Sequence, residues 1–231
     1  MPRAKILEIS KEEICNLSRI PCAMENNPCY QTVLQLLESR IKIKDSALYK
    51  HYKAYNPKTI YDIYNVGERL KEYSFKSIFI PWIHFKPINE YTDSSFIERS
   101  DSFIEKQVEK INALMYSIKT FGYDPEKYSD KKGGHITGYF LEGKNSKKFY
   151  VVSGNHRAAT LAALFPDTKI PVIYEESAFL KKSERELMHR ESPVICLETY
   201  SFKDVDKWFS VRSGFLTERE ALEILEVYLN V

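Results

Sequence analysis

Residues 149–174 set a β-branched and aromatic run, one glycine, an alanine-rich run and a second β-branched run in direct succession. Few folds accept that order. Residues 149–152 read as a strand and 158–165 as a helix. Ser153-Gly154-Asn155 leaves no room for a loop between them, so the chain must turn sharply at Gly154. Residues 170–174 then read as a short buried strand. A helix start displays backbone N–H groups without partners and the positive end of the helix dipole. Gly154 lets a ligand approach that backbone, Arg157 brings a fork of donors suited to phosphate oxygens, and His156 brings a further donor or titrating group. The pattern reads as an anion cradle. The alternative is that Asn155 caps the helix while His156 and Arg157 are solvated first-turn residues.

Around this junction the chain divides into three stretches. Residues 1–74 look helical. Ser10-Lys11-Glu12-Glu13 has the form of a capping box heading a helix to about Leu17. Asn27-Pro28 opens another, with Val33, Leu34, Leu36 and Leu37 as its buried stripe. Residues 46–64 carry Tyr49, Tyr52, Tyr55, Tyr61 and Tyr64, divided by Asn56-Pro57, with Thr59 starting a short helix. These rings are expected to pack in core or interface, the other reading being a base-stacking surface. Residues 75–176 change character. A strand is expected at 76–83, a polar loop at 88–100, and a long helix at 102–121 with Ile104, Val108, Ile111, Leu114, Met115 and Ile118 at a 3.6-residue period, stopped by Gly122. Strands at 135–142 and 149–152 flank a polar, basic hairpin loop at 143–148. Residues 177–231 are mixed and then helical, with Thr217-Glu218-Arg219-Glu220 as a second capping box. The fold class expected is α+β.

The balance of 34 basic and 32 acidic residues, net charge +2, offers no basic excess for nucleic acid. Residues 201–231 carry four basic and six acidic side chains, the reverse of a DNA-reading helix. No run of about 18 apolar residues occurs, which argues against a membrane span. Nor does the start resemble a signal peptide, so the expected location is the cytoplasm. Cys15, Cys22, Cys29 and Cys196 form no C-x-x-C pair, so they read as ordinary thiols rather than zinc ligands. No metal-ligating set is assigned.

The residues of the junction resemble the ParB/sulfiredoxin superfamily. Its pattern is a strand, a turn of the type G-x-[HR]-R, a helix and a strand reading I-P-V. Here these are Gly154-Asn155-His156-Arg157, residues 158–164 and Ile170-Pro171-Val172-Ile173. Ile80-Pro81-Trp82-Ile83-His84-Phe85-Lys86-Pro87 resembles the family's first strand, and residues 115–122 its L-x-x-S-I-x-x-x-G helix end. The likeness covers 78–174 and implies a ParB/sulfiredoxin-like core, a small mixed sheet with helices, carrying added helical segments at both ends.

The family's turn binds nucleotide phosphates. Sulfiredoxins need a cysteine where Asn155 stands. ParB partition proteins use an arginine-rich turn and a helix-turn-helix domain. Free serine kinases of the superfamily carry a glutamate just after the first strand's K-P, a position occupied here by Glu90, and an aspartate where this chain has Ser153. The resemblance therefore implies a kinase that transfers a phosphoryl group from a nucleotide, ATP or ADP before CTP, with Mg²⁺, to a hydroxyl of serine, an amino alcohol or a sugar derivative. Glu90 would take the hydroxyl proton and His156 would act beside it. Ser153, Gly154, Asn155, His156, Arg157 and Thr160 would hold the nucleotide, and Arg99 and His135 the substrate. Residues 46–59 and 208–222 also resemble ParB-like proteins of bacterial surface-polysaccharide clusters, which implies a role in glycan precursor supply. The rival readings are a nucleotide-binding switch or DNA-associated protein without kinase activity, a phosphodiester-cleaving enzyme and an inactive binding module. A homodimer stays open, and neither a membrane nor a nucleic acid is an expected partner.

Overall fold

The computed structural model describes residues 6–17, 20–73, 80–83, 99–125, 134–174 and 199–231. A small mixed sheet lies at its centre, built on the hairpin β4 (Ile136–Glu142) and β5 (Lys147–Ser153). β6 (Ile170–Tyr174) runs parallel to the first half of β4, with Ile136 opposite Val172 and Gly138 opposite Tyr174. β7 (Thr199–Ser201) continues along the same edge, parallel to Phe140–Glu142. β1 (Ile6–Ile9) closes the far side, antiparallel to β6. The two flanking stretches thus each contribute a strand, beyond the helices expected of them, and the boundaries near 74 and 176 lie outside the described residues.

Alternation along β5 sorts the core into two layers. Phe149 and Val151 face a layer with Ile136, Val172, Val108, Ile111 and Val33, while Tyr150 and Val152 face Trp82, Tyr139, Tyr200 and Tyr228. The first layer is covered by α1 (Pro28–Glu38), α2 (Ala47–Ala54), α4 (Asp101–Phe121) and α5 (Asn155–Leu164). The second is covered by α3 (Ile60–Tyr64), α6 (Phe209–Arg212) and α7 (Glu218–Leu229). No helix among the described residues is long and apolar enough to cross a membrane.

The second layer is aromatic. Tyr139 and Tyr150, cross-strand partners, stack at 4.9 Å. Trp82 packs edge-on to Tyr150, Trp208 and Tyr228 at 5.5–6.1 Å and donates from Nε1 to the Tyr139 hydroxyl at 2.9 Å. Buried phenols need such partners, and Tyr64 and Tyr228 share a hydroxyl contact of 3.1 Å. The tyrosine-rich segment is spent on packing: Tyr52 meets Phe103 edge-on, Tyr55 stacks on His51, and Tyr64 is core.

Caps explain the helix bounds. Asn27 accepts from Cys29 N–H and Tyr30 N–H ahead of Pro28, Ser100 accepts from Phe103 N–H, and Gly122 ends α4 at φ +77°. Asp101 in the first turn of α4 pairs with Lys53 at 2.7 Å and Lys44 at 3.4 Å, tying α2 to α4. Two expectations are corrected. The helix expected at 10–17 is one 3₁₀ turn, Lys11–Glu13; Glu13 does close the box on Ser10 N–H at 2.6 Å, but Ile14 and Cys15 are drawn into bridges with Phe149. The strand expected at 76–83 is a turn over its described residues 80–83, held by Ile83 N–H to Ile80 O at 3.1 Å; residues 76–79, and the loop expected at 88–100 up to residue 98, lie outside the described residues.

The outer edge of β5 is closed by a side chain. Beyond the bridge from Ile14, the Asn16 carboxamide accepts from Val151 N–H and donates to Val151 O, both at 2.7 Å, as a neighbouring strand's backbone would. Asn16 is 1% exposed. β2 (Asn16–Leu17) and β3 (Ile20–Pro21) form the small hairpin that holds it there.

Candidate functional site

β5 runs out at Ser153 opposite Thr137. Just before that pair the register shifts: Gly138 faces Val151, so Val152 is an extra residue that bends the strand end. A Cβ at Gly138 would overlap the Tyr150 carbonyl, so glycine is what permits the bend. The chain then turns at Gly154 with φ +91° and ψ 20°, and α5 begins at once at Asn155, three residues earlier than the apolar pattern indicated. The first turn is polar, and a hydrophobic period cannot register it.

Gly154 is required twice over. Its φ is in the region L side chains avoid, and a Cβ there would lie 3.0 Å from Ile136 Cα and 3.2 Å from Arg157 Nε. The Arg157 side chain therefore runs back across the turn. The first intrahelical bond is Ala158 N–H to Gly154 O at 2.9 Å, and Gly154 offers no side chain to cap the amides ahead of it. Ser153, Gly154, Asn155, His156 and Arg157 are all half-buried, whereas 158–163 are buried. Small residues there, Ala158, Ala159, Ala162 and Ala163, let α5 sit against α1, α4 and the sheet.

The electrostatics are cationic around His156. Burial pushes the imidazole down to about 4, helped by Lys110 on α4 and by Arg157, so the ring is neutral at pH 7. Burial also lowers Arg157, opposed by Tyr123, but a guanidinium keeps its charge in proteins. Tyr123 donates its hydroxyl proton to Gly134 O at 2.6 Å, beside the start of β4. Lys110 and Tyr123 are contributions that sequence reading missed. They come from the long helix and the residue after its cap, and only the packing of α4 on α5 brings them near.

The remaining expected residues are placed as follows. His135 immediately precedes Ile136, against which Gly154 lies, so its backbone borders the turn. Thr160 is 0% exposed; its hydroxyl sits in the core beneath the turn, with no hydrogen-bond partner among the described residues. Arg99 lies before the first turn of α4, its guanidinium 4.4 Å above the Phe103 ring and its carbonyl accepting from Lys53. It is eleven residues before Lys110, roughly 16 Å along the helix direction, and so stands apart from the turn. Glu90 lies outside the described residues.

The site can hold a tetrahedral anion through uncapped amides and a guanidinium, with a neutral imidazole as a further hydrogen-bonding group. No group of three or more His, Cys, Asp or Glu able to hold a metal occurs among the described residues. No family model, curated protein or solved structure matches the chain.

Proposed function

We propose that the chain binds a nucleotide by its phosphates at the Gly154 turn and transfers a phosphoryl group to the hydroxyl of a small metabolite. The observation that carries the reading is Gly154 itself: a left-handed residue at which a Cβ would be crowded, joining a strand to a helix whose first turn it leaves uncapped, with Arg157 folded across it. The ParB/sulfiredoxin likeness of residues 78–174 supports the same use of the turn.

In this reading Arg157 and the amides of the first α5 turn neutralise the phosphate oxygens, and Mg²⁺ arrives bound to the nucleotide. The acceptor hydroxyl oxygen attacks the terminal phosphorus, the bond from that phosphorus to the bridging oxygen breaks, and the shortened nucleotide leaves with that oxygen. Glu90 takes the hydroxyl proton. The neutral imidazole of His156 donates a hydrogen bond without adding a charge. Serine, amino alcohols and sugar derivatives are the acceptor class, and the resemblance to polysaccharide-cluster proteins points to glycan precursor supply.

The test is ³¹P NMR of the chain with Mg²⁺ and ATP, ADP or CTP, against a pool of serine, amino alcohols and sugars. A new phosphomonoester signal is expected, lost in Glu90→Gln and Arg157→Ala. Nucleotide binding with no new ester would sink the kinase reading and leave a nucleotide-gated switch of the partition-factor kind.

A further inference from the structure

β5 carries one residue more than β4 at the end they share. Gly138 stands opposite Val151 and Thr137 opposite Ser153, with Val152 unpaired between them. Before the extra residue the strand alternates: Phe149 and Val151 face the layer beneath α5, and Tyr150 faces the aromatic layer. In a regular strand Ser153 would follow Val151 toward α5. The bulge sets it beside Thr137 instead, and directly opposed residues of an antiparallel pair share a face. Thr137 lies two residues before Tyr139 and so shares the aromatic-layer face. Ser153 is thereby re-aimed to the side of the sheet away from α5.

The bulge is built in. A Cβ at Gly138 would overlap the Tyr150 carbonyl and lie 2.7 Å from the Phe149 ring, so the bend needs glycine there. Thr137 and Ser153 are both half-buried, and Gly154 follows Ser153 at once. Opposed side chains in such a pair stand about 4.5–5.5 Å apart at Cβ. Two hydroxyls therefore sit side by side at the sheet end, next to the turn. Val152 and Ile83 pack on the same aromatic layer and give this face apolar neighbours. Each hydroxyl has one donor, two acceptor lone pairs and no charge. Two at this spacing match adjacent hydroxyls of one small molecule, donor to acceptor in both directions. An ammonium group finds no carboxylate in the pair.

We propose that Thr137 and Ser153 bind the acceptor on the face of the sheet away from α5, and that this acceptor is a neutral polyol or sugar with adjacent hydroxyls rather than an amino acid or amino alcohol. The assignment rests on the phosphoryl-transfer reading of the Gly154 turn.

The test is steady-state transfer from MgATP to glycerol, myo-inositol, ribose and glucose on one side and to serine and ethanolamine on the other, with nucleotide Kd measured separately by calorimetry. A polyol or sugar is expected to exceed serine and ethanolamine by about 100-fold in kcat/KM. Thr137→Val keeps the shape and loses the hydroxyl; it is expected to raise the acceptor KM about 10-fold and to leave the MgATP Kd within about 2-fold. Thr137→Ser restores the hydroxyl and is expected to return KM to within about 3-fold of wild type. Ser153→Ala reads the same KM effect independently should Thr137→Val not fold. A preference for serine or ethanolamine overturns the acceptor class. A wild-type KM in both Thr137→Val and Ser153→Ala, or equal losses of acceptor and nucleotide binding, overturns the role of the pair while transfer itself stands. A wild-type chain that transfers to none of the probes overturns the phosphoryl-transfer reading and this assignment with it.

Discussion

Gly154→Ala isolates the geometry on which the site depends. Two costs add. An alanine held at φ +91° sits where L residues lose roughly 1–2 kcal/mol. Its methyl would also lie 3.0 Å from Ile136 Cα and 3.1 Å from Ile136 Cγ1, and the first of these is backbone in the central strand, which yields less readily than a side chain. Crowding of that kind costs about 1–3 kcal/mol, so the total is about 3 kcal/mol. For a chain of this size that is a fall in Tm of roughly 6–12 °C. Gly214→Ala provides the comparison. Gly214 has φ +71° but no atom within 4 Å of a Cβ, so it loses only the backbone part, about 1–2 kcal/mol. Urea unfolding followed by the fluorescence of buried Trp82 and Trp208 measures both. The same methyl crowds Arg157 Nε at 3.2 Å, so nucleotide affinity is expected to fall at least 10-fold in Gly154→Ala and to stay at the wild-type level in Gly214→Ala. Equal destabilisation by the two substitutions would refute the packing argument at the turn.

Other outcomes follow from single features. Asn16→Ala strands the N–H and C=O of Val151 in the interior and is expected to cost about 2–4 kcal/mol in the same unfolding assay. Thr160→Val removes a buried hydroxyl that has no partner among the described residues; stability is expected to be unchanged or up to about 1 kcal/mol higher. Burial pushes the Glu220 carboxyl up, but hydrogen bonds from Arg69 at 2.8 and 2.7 Å and from the Thr217 cap outweigh it and hold the group below the usual glutamate range. A depressed folded pKa stabilises above the unfolded value and is lost as pH falls through the folded one. Wild type is therefore expected to exceed Glu220→Gln by about 1 kcal/mol at pH 7, with the gap closing below about pH 4 in pH-dependent unfolding.

What could be read in the sequence was what local chemistry decides. α4 is legible to a residue at each end because Ser100 and Gly122 punctuate a clean period, and β6 because Ile-Pro-Val-Ile-Tyr has no competing pattern. The turn at 153–155 is legible because one glycine separates two strong signals. Ser10–Glu13 shows where such reading stops. Its capping box forms as written, yet Ile14 and Cys15 gain more by bridging to Phe149 than by continuing a helix. β1 and β7 were hidden because four and three residues carry too little pattern of their own, and their partners lie far along the chain. Asn16 acting as a strand and the charge of Lys110 felt at His156 are products of packing alone. The burial of Thr160 was not legible either: one turn after Arg157 is close along the helix, but the residue is 0% exposed.

The most direct test of the central claim is a ¹H–¹⁵N NMR titration of the intact chain with MgATP. The phosphate reading predicts the largest amide shifts at Gly154, Asn155, His156 and Arg157, with the Lys110 and Tyr123 amides following and the 46–64 tyrosine segment unmoved. Shifts centred on residues 46–64, or no shift at the Gly154 turn at millimolar nucleotide, would contradict it.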